Sequence, residues 1–262
     1  MKKLLTILLA IAMAATFAAC SSSPQEGLFS DGKFTVGFDQ NFPPYGYVGE
    51  DGEFAGFDIE LAQKVAELKG WEIELVPIDW NAKDAELDSG AIDCIWNGFT
   101  MNRREDLYTW SEPYMDNSQV IVTKAGSGIA ALADLAGKTV TVQMDSSAEA
   151  ALASEDLAEL TASFGSLETT PDYNSAFMDL EAGAVDAIAM DLGVAKYQIE
   201  GREDMFVILS EQLVSEQYGI GFKLGNETLR DEVQDAYDQL FEQGTVQEMA
   251  EKYGVTDGLI QR

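Results

Sequence analysis

The chain has 262 residues, and 46 Asp and Glu against 16 Lys and Arg give it a formal charge of −30. Such acidity argues against nucleic acid and against an anionic lipid surface as partners. With no histidine, Ser-His-Asp and Cys-His catalysis are excluded, zinc and copper lose their commonest ligand, and neither GxxxxGK[ST] nor GxGxxG occurs. The expectation is a protein without catalytic residues, cofactor or metal.

Residues 1–19 read as a signal peptide: Lys2 and Lys3 precede an apolar run from Leu4 to Ala15 that is too short to cross roughly 30 Å of hydrocarbon. "FAAC" resembles a lipobox, which makes Cys20 the expected lipidation site and 20–30 a polar tether; an ordinary signal peptide with an incidental cysteine is the other reading. Loss of Lys2 and Lys3 takes the charge from −30 to −32. Cys94, inside "AIDCIW", reads as a buried small hydrophobe, and a bridge to Cys20 is the lesser alternative.

From residue 33 onward, strand-like and helical runs alternate. "KFTVGF" is a strand; "FDIELAQKVAELKG" is a helix with Ile59, Leu61, Ala62, Val65, Ala66 and Leu68 on one face, Asp58 as N-cap and Gly70 as stop. "WEIELVPI", "KDAELDSG" and "AIDCIWN" follow as strand, short helix and strand. The alternation predicts an α/β fold with mostly parallel sheets. "LDSGAIDCIW" (87–96) returns as "LEAGAVDAIA" (180–189), and a second βα series opens near residue 134. Two similarly built lobes are expected, with the carboxyl ends of their strands facing a cleft. The chain closes with a strand and two amphipathic helices, the first carrying Leu229, Val233, Ala236, Leu240 and Phe241 on its apolar face.

Polar groups gather at these strand ends. Arg104 or Arg103 offers a guanidinium fork for a carboxylate, and Thr100 a hydroxyl nearby. Ser146 and Ser147 stand where "TVTVQ" turns into a helix, and Asp191 supplies the opposite charge from the second lobe. Together they match an α-amino acid zwitterion; taken singly, each also reads as an ordinary surface charge or helix cap. Phe42, Tyr45, Tyr47 and Trp80 read either as an aromatic clamp or as packing beneath loops.

The stretches "GFDQNFPPYGY", "GFDIELAQ", "GAIDCIWNGFTMNRREDLYTWSEPY" and "LAGKTVTVQMDSSAEAAL" resemble, in order, the polar amino-acid substrate-binding proteins of bacterial ABC importers. The resemblance implies the periplasmic-binding-protein type II fold, two α/β lobes joined by a two-strand hinge with the ligand in the cleft. Lobe 1 is expected at 31–116 plus 217–262 and lobe 2 at 117–216, with crossings near "DNSQ" (116–119) and "VSEQ" (214–217).

It also implies that Arg104, Thr100, Ser146 and Ser147 hold the ligand carboxylate. The ammonium meets Thr100, the Gly98 carbonyl and Asp191, and the side chain lies between Phe42 and Trp80 beside Asp39 and Asn97. Asp145 departs from the glycine common there, facing solvent or a cationic ligand group. The implied partners are an amino acid, an ABC permease with its ATPase, and the membrane through the N-terminal lipid alone. The chain is expected to be a monomer and to bind no nucleic acid. The amino acid is left open, and a dehydratase-like enzyme or a sensing module on the same fold are the rivals.

Overall fold

A computed structural model describes Phe29 and residues 32–262, so the signal segment and Cys20 lie outside the described residues. In chain order these residues form β1 (Phe34–Phe38), β2 (Asn41–Phe42), β3 (Gly46–Val48), β4 (Phe54–Ala55), α1 (Phe57–Lys69), β5 (Ile73–Pro77), α2 (Lys83–Ser89), β6 (Cys94–Thr100), β7 (Thr109–Trp110) and β8 (Met115–Lys124). They continue as β9 (Thr139–Gln143), α3 (Ser147–Leu152), α4 (Ala158–Ser163), β10 (Ser166–Thr170), α5 (Tyr173–Ala182), β11 (Ala187–Asp191), α6 (Leu192–Ile199), β12 (Phe206–Phe222), α7 (Glu227–Glu242) and α8 (Thr245–Lys252).

The main sheet runs β10-β9-β11-β8-β12-β6-β1-β5, with β7 beside β12. At one end β1 pairs in parallel with β5 and β6; at the other β9 pairs in parallel with β10 and β11. The parallel expectation therefore holds for the two ends and fails in the middle. There β8 and β12 run antiparallel to each other and to β11 and β6. The cause is connectivity: β8 carries the chain out to the far end and β12 carries it back, so the two crossings point in opposite directions.

The repeat seen in the sequence is built twice with the same bonds. Gly90 and Gly183 end α2 and α5 in the left-handed region, at φ 77° and 75°. The next residues, Ala91 and Ala184, donate back to the carbonyls of Glu86 and Asp179 at 3.0 and 2.9 Å, closing each helix with a 6→1 bond. Asp93 and Asp186 then accept the backbone N–H of Thr35 and Thr139, at 2.7 and 2.9 Å. Each carboxylate thus ties its incoming strand to the neighbour on which it will pair.

Helix α1 ends as expected at Gly70, but Asp58 is not its cap. Gly56 occupies the N-cap position, and Asp58 lies inside the helix, fully buried. Its Oδ2 accepts the Gly98 N–H at 2.5 Å and the Tyr114 hydroxyl at 2.8 Å. The carboxylate therefore fixes the strand end on which the cleft is built. Burial raises the Asp58 pKa to about 7 despite these bonds.

Gly98 has φ 57°, and a Cβ there would lie 2.9 Å from Phe42 Cε1 and 3.0 Å from Tyr218 Cε2. Gly98→Ala is expected to lower stability by about 2–3 kcal/mol through backbone strain and overpacking, read as a fall in the urea midpoint.

Apolar residues fill the space between sheet and helices as the sequence pattern requires. Leu229, Val233, Ala236 and Leu240 of α7 are buried against α1 and the sheet, with Phe241 at the margin. A second cluster around Leu135, Val140, Val142 and Leu152 supports the far end. Cys94 is fully buried within β6, in line with a small core hydrophobe.

Candidate functional site

Strands β6 and β11 end on opposite sides of the β8–β12 pair, and between these ends lies a small cavity. Phe42, Trp80, Asn97, Gly98, Thr100, Arg104, Gln143, Ser146, Ser147 and Asp191 line it. The structure thus brings together nine of the ten residues expected at the site. Asp39 stands one step outside, on the wall of a wider opening of about 580 Å³ that also touches Trp80, Asp79 and Asp172. The lined cavity itself measures only about 10 Å³, room for roughly one water, so entry of any organic solute requires its walls to part.

The two adjacent arginines diverge. Arg103 has φ 68° and is exposed; its guanidinium reaches the Asp156 carboxylate at 3.2 Å and the Ala150 carbonyl at 3.3 Å. Arg104 faces the cavity, 5.1 Å over the Phe99 ring, and donates to the carbonyls of Thr100 and Asp145 at 3.4 and 3.3 Å. Its own carbonyl accepts the Trp110 indole N–H at 3.0 Å. Backbone anchoring and ring packing hold this cation at the cavity wall.

Asp145 is exposed to solvent, as one expectation had it, and does not line the cavity. It occupies the left-handed region at φ 58°, a conformation Asp tolerates better than most residues, and its carboxylate pairs with Lys83 from the opposite wall. Lys83 is only 2% exposed and its ammonium lies 5.4 Å over the Trp80 ring. A carboxylate so paired is not offered to a cationic ligand group.

Behind it, Ser146 caps α3 by accepting the Glu149 N–H at 3.2 Å, while Glu149 accepts the Asp145 N–H at 2.5 Å. The hydroxyl of Ser146 is therefore engaged locally, the ordinary reading of a serine before a helix.

The aromatic expectation divides in the same way. Phe42 and Trp80 line the cavity, whereas Tyr45 is buried with its ring edge-on to Tyr218 at 5.3 Å. Tyr47 packs against Tyr197 at 5.9 Å. Those two tyrosines are packing, not clamp. Asn97 is 1% exposed, and neither side-chain polar atom has a hydrogen-bond partner. An orphaned amide costs on the order of 1–3 kcal/mol.

Asp191 is buried and accepts from Asn117 at 2.9 Å, Gln119 at 2.7 Å, and the hydroxyls of Tyr218 at 2.7 Å and Tyr173 at 3.3 Å. Burial first, then the charge of Glu216, pushes its pKa up to about 7. Asp39 is also raised by burial; it accepts the Asn41 N–H and, across the cleft, the Gln143 amide, both at 2.8 Å.

Gln143, Asn117, Gln119 and Glu216 were not anticipated. Their signal is polar residues two apart in apolar strands, as in "NSQ" of β8 and "EQY" of β12, which place both on one buried face.

The sequence pattern of the family described as bacterial extracellular solute-binding proteins, family 3, matches residues 34–256. The chain belongs to that family. As a family 3 solute-binding protein it has the type II periplasmic-binding-protein fold, two α/β lobes joined by two crossing strands.

It is 31% identical to the L-cystine-binding protein TcyJ of Escherichia coli K12 over 252 residues, 94% of this chain and 92% of that one. It is 29% identical to the arginine-binding extracellular protein ArtP of Bacillus subtilis 168, over 97% and 98% of the two chains. Among solved structures, an ABC uptake transporter substrate-binding protein of Streptococcus pneumoniae with bound histidine superposes at a TM-score of 0.83. That pair shares 33% identity, covering 88% of this chain and 96% of the other. Two of these similar proteins are named for different amino acids and the third holds histidine, so family membership alone leaves the side-chain end of the site open.

Proposed function

We propose that this solute-binding protein takes up an α-amino acid outside the cytoplasm, closes its two lobes on it, and delivers it to an ABC permease with its ATPase. One observation carries the reading. A single small cavity holds one guanidinium, Arg104, and one deeply buried carboxylate, Asp191, from opposite sides of the crossing strands. That pair complements the two charges of a zwitterion. Thr100, Ser146, Ser147 and the Gly98 carbonyl complete the grip, with Phe42, Trp80, Asn97 and, at the margin, Asp39 around the side chain. The relatives named for cystine and arginine, and the one solved with bound histidine, point to solutes that share the α-amino acid head.

The lobes divide at the crossings, 31–116 plus 217–262 against 117–216. Binding and closure are then one event, because the solute bridges both walls. Cys20 carries the lipid that anchors the mature chain, which works as a monomer and catalyses nothing. Among the described residues no helix is long and apolar enough to cross a membrane.

Calorimetry on residues 27–262, unfolded and refolded to strip carried solute, against the twenty L-amino acids and L-cystine tests this. Tight binding of one or a few, lost in Asp191→Ala, is expected; silence across the panel would defeat the reading.

A further inference from the structure

Glu216 lies in the returning strand β12, is 5% exposed, and accepts hydrogen bonds from both walls of the cleft and from the outgoing strand. Its Oε1 takes the Thr100 hydroxyl at 2.8 Å, the Asn117 amide at 2.8 Å and the Gln119 amide at 2.7 Å. Its Oε2 takes the Ser147 hydroxyl. The same two amides donate to Asp191 Oδ1, so the two buried carboxylates are bridged side by side. Nearby cations are engaged elsewhere: Lys83 on Asp145, Arg103 on Asp156, and Arg104 on backbone carbonyls.

A hydroxyl has one proton. Because Thr100 and Ser147 both donate theirs to Glu216, each presents only lone pairs to the cavity. Neither hydroxyl is then able to donate to a ligand carboxylate; both are set to accept from a cation. Two carboxylates held together away from water also favour a positive charge between them. The sequence resemblance places Ser147 with the carboxylate grip, and the hydrogen-bond direction reverses that part.

We propose that Glu216 is a positioning residue for the ligand's ammonium: it orients the hydroxyls of Thr100 and Ser147 as acceptors and, with Asp191, gives this end of the cavity its negative charge. The proposal rests on the amino-acid reading above and extends it to a group that does not line the cavity. The carboxylate end is left to Arg104 and backbone N–H groups.

The test compares wild type with Glu216→Gln, which keeps the shape and removes the charge. The probes are the twenty L-amino acids and L-cystine and, for the tightest of them, the same molecule without its α-amino group. The expected result is a loss of about 10–100-fold for the amino acid, the range of a hydrogen bond to a charged group, with less than about threefold loss for the des-amino compound. Equal losses for both, or none, would make Glu216 a purely structural hinge residue and overturn the proposal.

Should Glu216→Gln not fold, Thr100→Val removes one oriented hydroxyl and carries the same comparison. If wild type binds no amino acid, the proposed function falls, and methylammonium chloride then tests Glu216 separately. It should raise the wild-type Tm above the value in equimolar sodium chloride and leave Glu216→Gln unmoved; no difference between the salts overturns the ammonium seat.

Discussion

Arg104→Ala is expected to weaken amino-acid binding at least about 100-fold, while Arg103→Ala changes it less than about threefold. The two residues are adjacent and chemically identical, so the contrast isolates geometry. Arg104 lines the closed cavity and is already oriented by two backbone carbonyls and the Phe99 ring. A carboxylate enclosed there and deprived of its guanidinium becomes an unpaired buried charge, which costs about 3–5 kcal/mol. Arg103 instead forms a solvent-exposed pair with Asp156, of a kind worth at most about 1 kcal/mol.

Arg104→Lys should recover little, because a single ammonium reproduces neither the fork nor the ring stacking. Calorimetric dissociation constants for the three variants decide the matter. A strong effect of Arg103→Ala with a neutral Arg104→Ala would reverse the assignment.

The second large effect is on pH, and it takes opposite signs for stability and for affinity. Burial pushes the Asp58 pKa up to about 7 in the fold, against the ordinary aspartate value of 3.8 when unfolded. A carboxyl with a raised folded pKa contributes stability that is complete below the unfolded value and is lost as pH rises through the folded one. The ligand-free protein should therefore melt higher at pH 5.5 than at pH 8. Between those two pH values the difference is about 2 kcal/mol, read as several degrees in Tm. Asp58→Asn should flatten that slope specifically, which separates it from the general relief of a −30 charge on acidification.

Affinity moves the other way. The Asp191–Glu216 pair is faced by Tyr173 of α5, Tyr218 of β12 and Tyr45, with Arg104 on the same cavity. A proton taken up by Asp191 near pH 7 competes with the ligand ammonium. Binding should weaken roughly tenfold or more between pH 8 and pH 5.5. Titrations at the two pH values, beside melts of the ligand-free protein, show whether the slopes oppose each other.

What the sequence determined by itself is what short-range chemistry controls. Alternating apolar runs set the strands, a 3.6-residue period set α1 and α7, and Gly70, Gly90 and Gly183 stop their helices because each takes a left-handed φ. The duplicated "LDSGAIDCIW" and "LEAGAVDAIA" was legible for the same reason: its bonds reach only to the adjacent helix and the neighbouring strand. Thr100, Ser146, Ser147 and Asp191 were legible from strand ends, which an α/β sheet presents to a cleft, while the ligand roles of Arg104, Gly98 and Asn97 came from the family resemblance.

Tertiary structure alone decided how these residues are used. The local residue pattern did not separate Arg103 from Arg104, between which only the resemblance chose, because a single left-handed residue sends one outward and the other in. Asp58 matched a helix cap until Gly98, 40 residues away, was folded onto it. Asp145 meets Lys83 across 62 residues, and Thr100 meets Glu216 across 116. Such pairings depend on which strand lies beside which, and no local pattern encodes them. The direction of a hydroxyl proton follows from the acceptor brought to it, and here the returning strand brings Glu216.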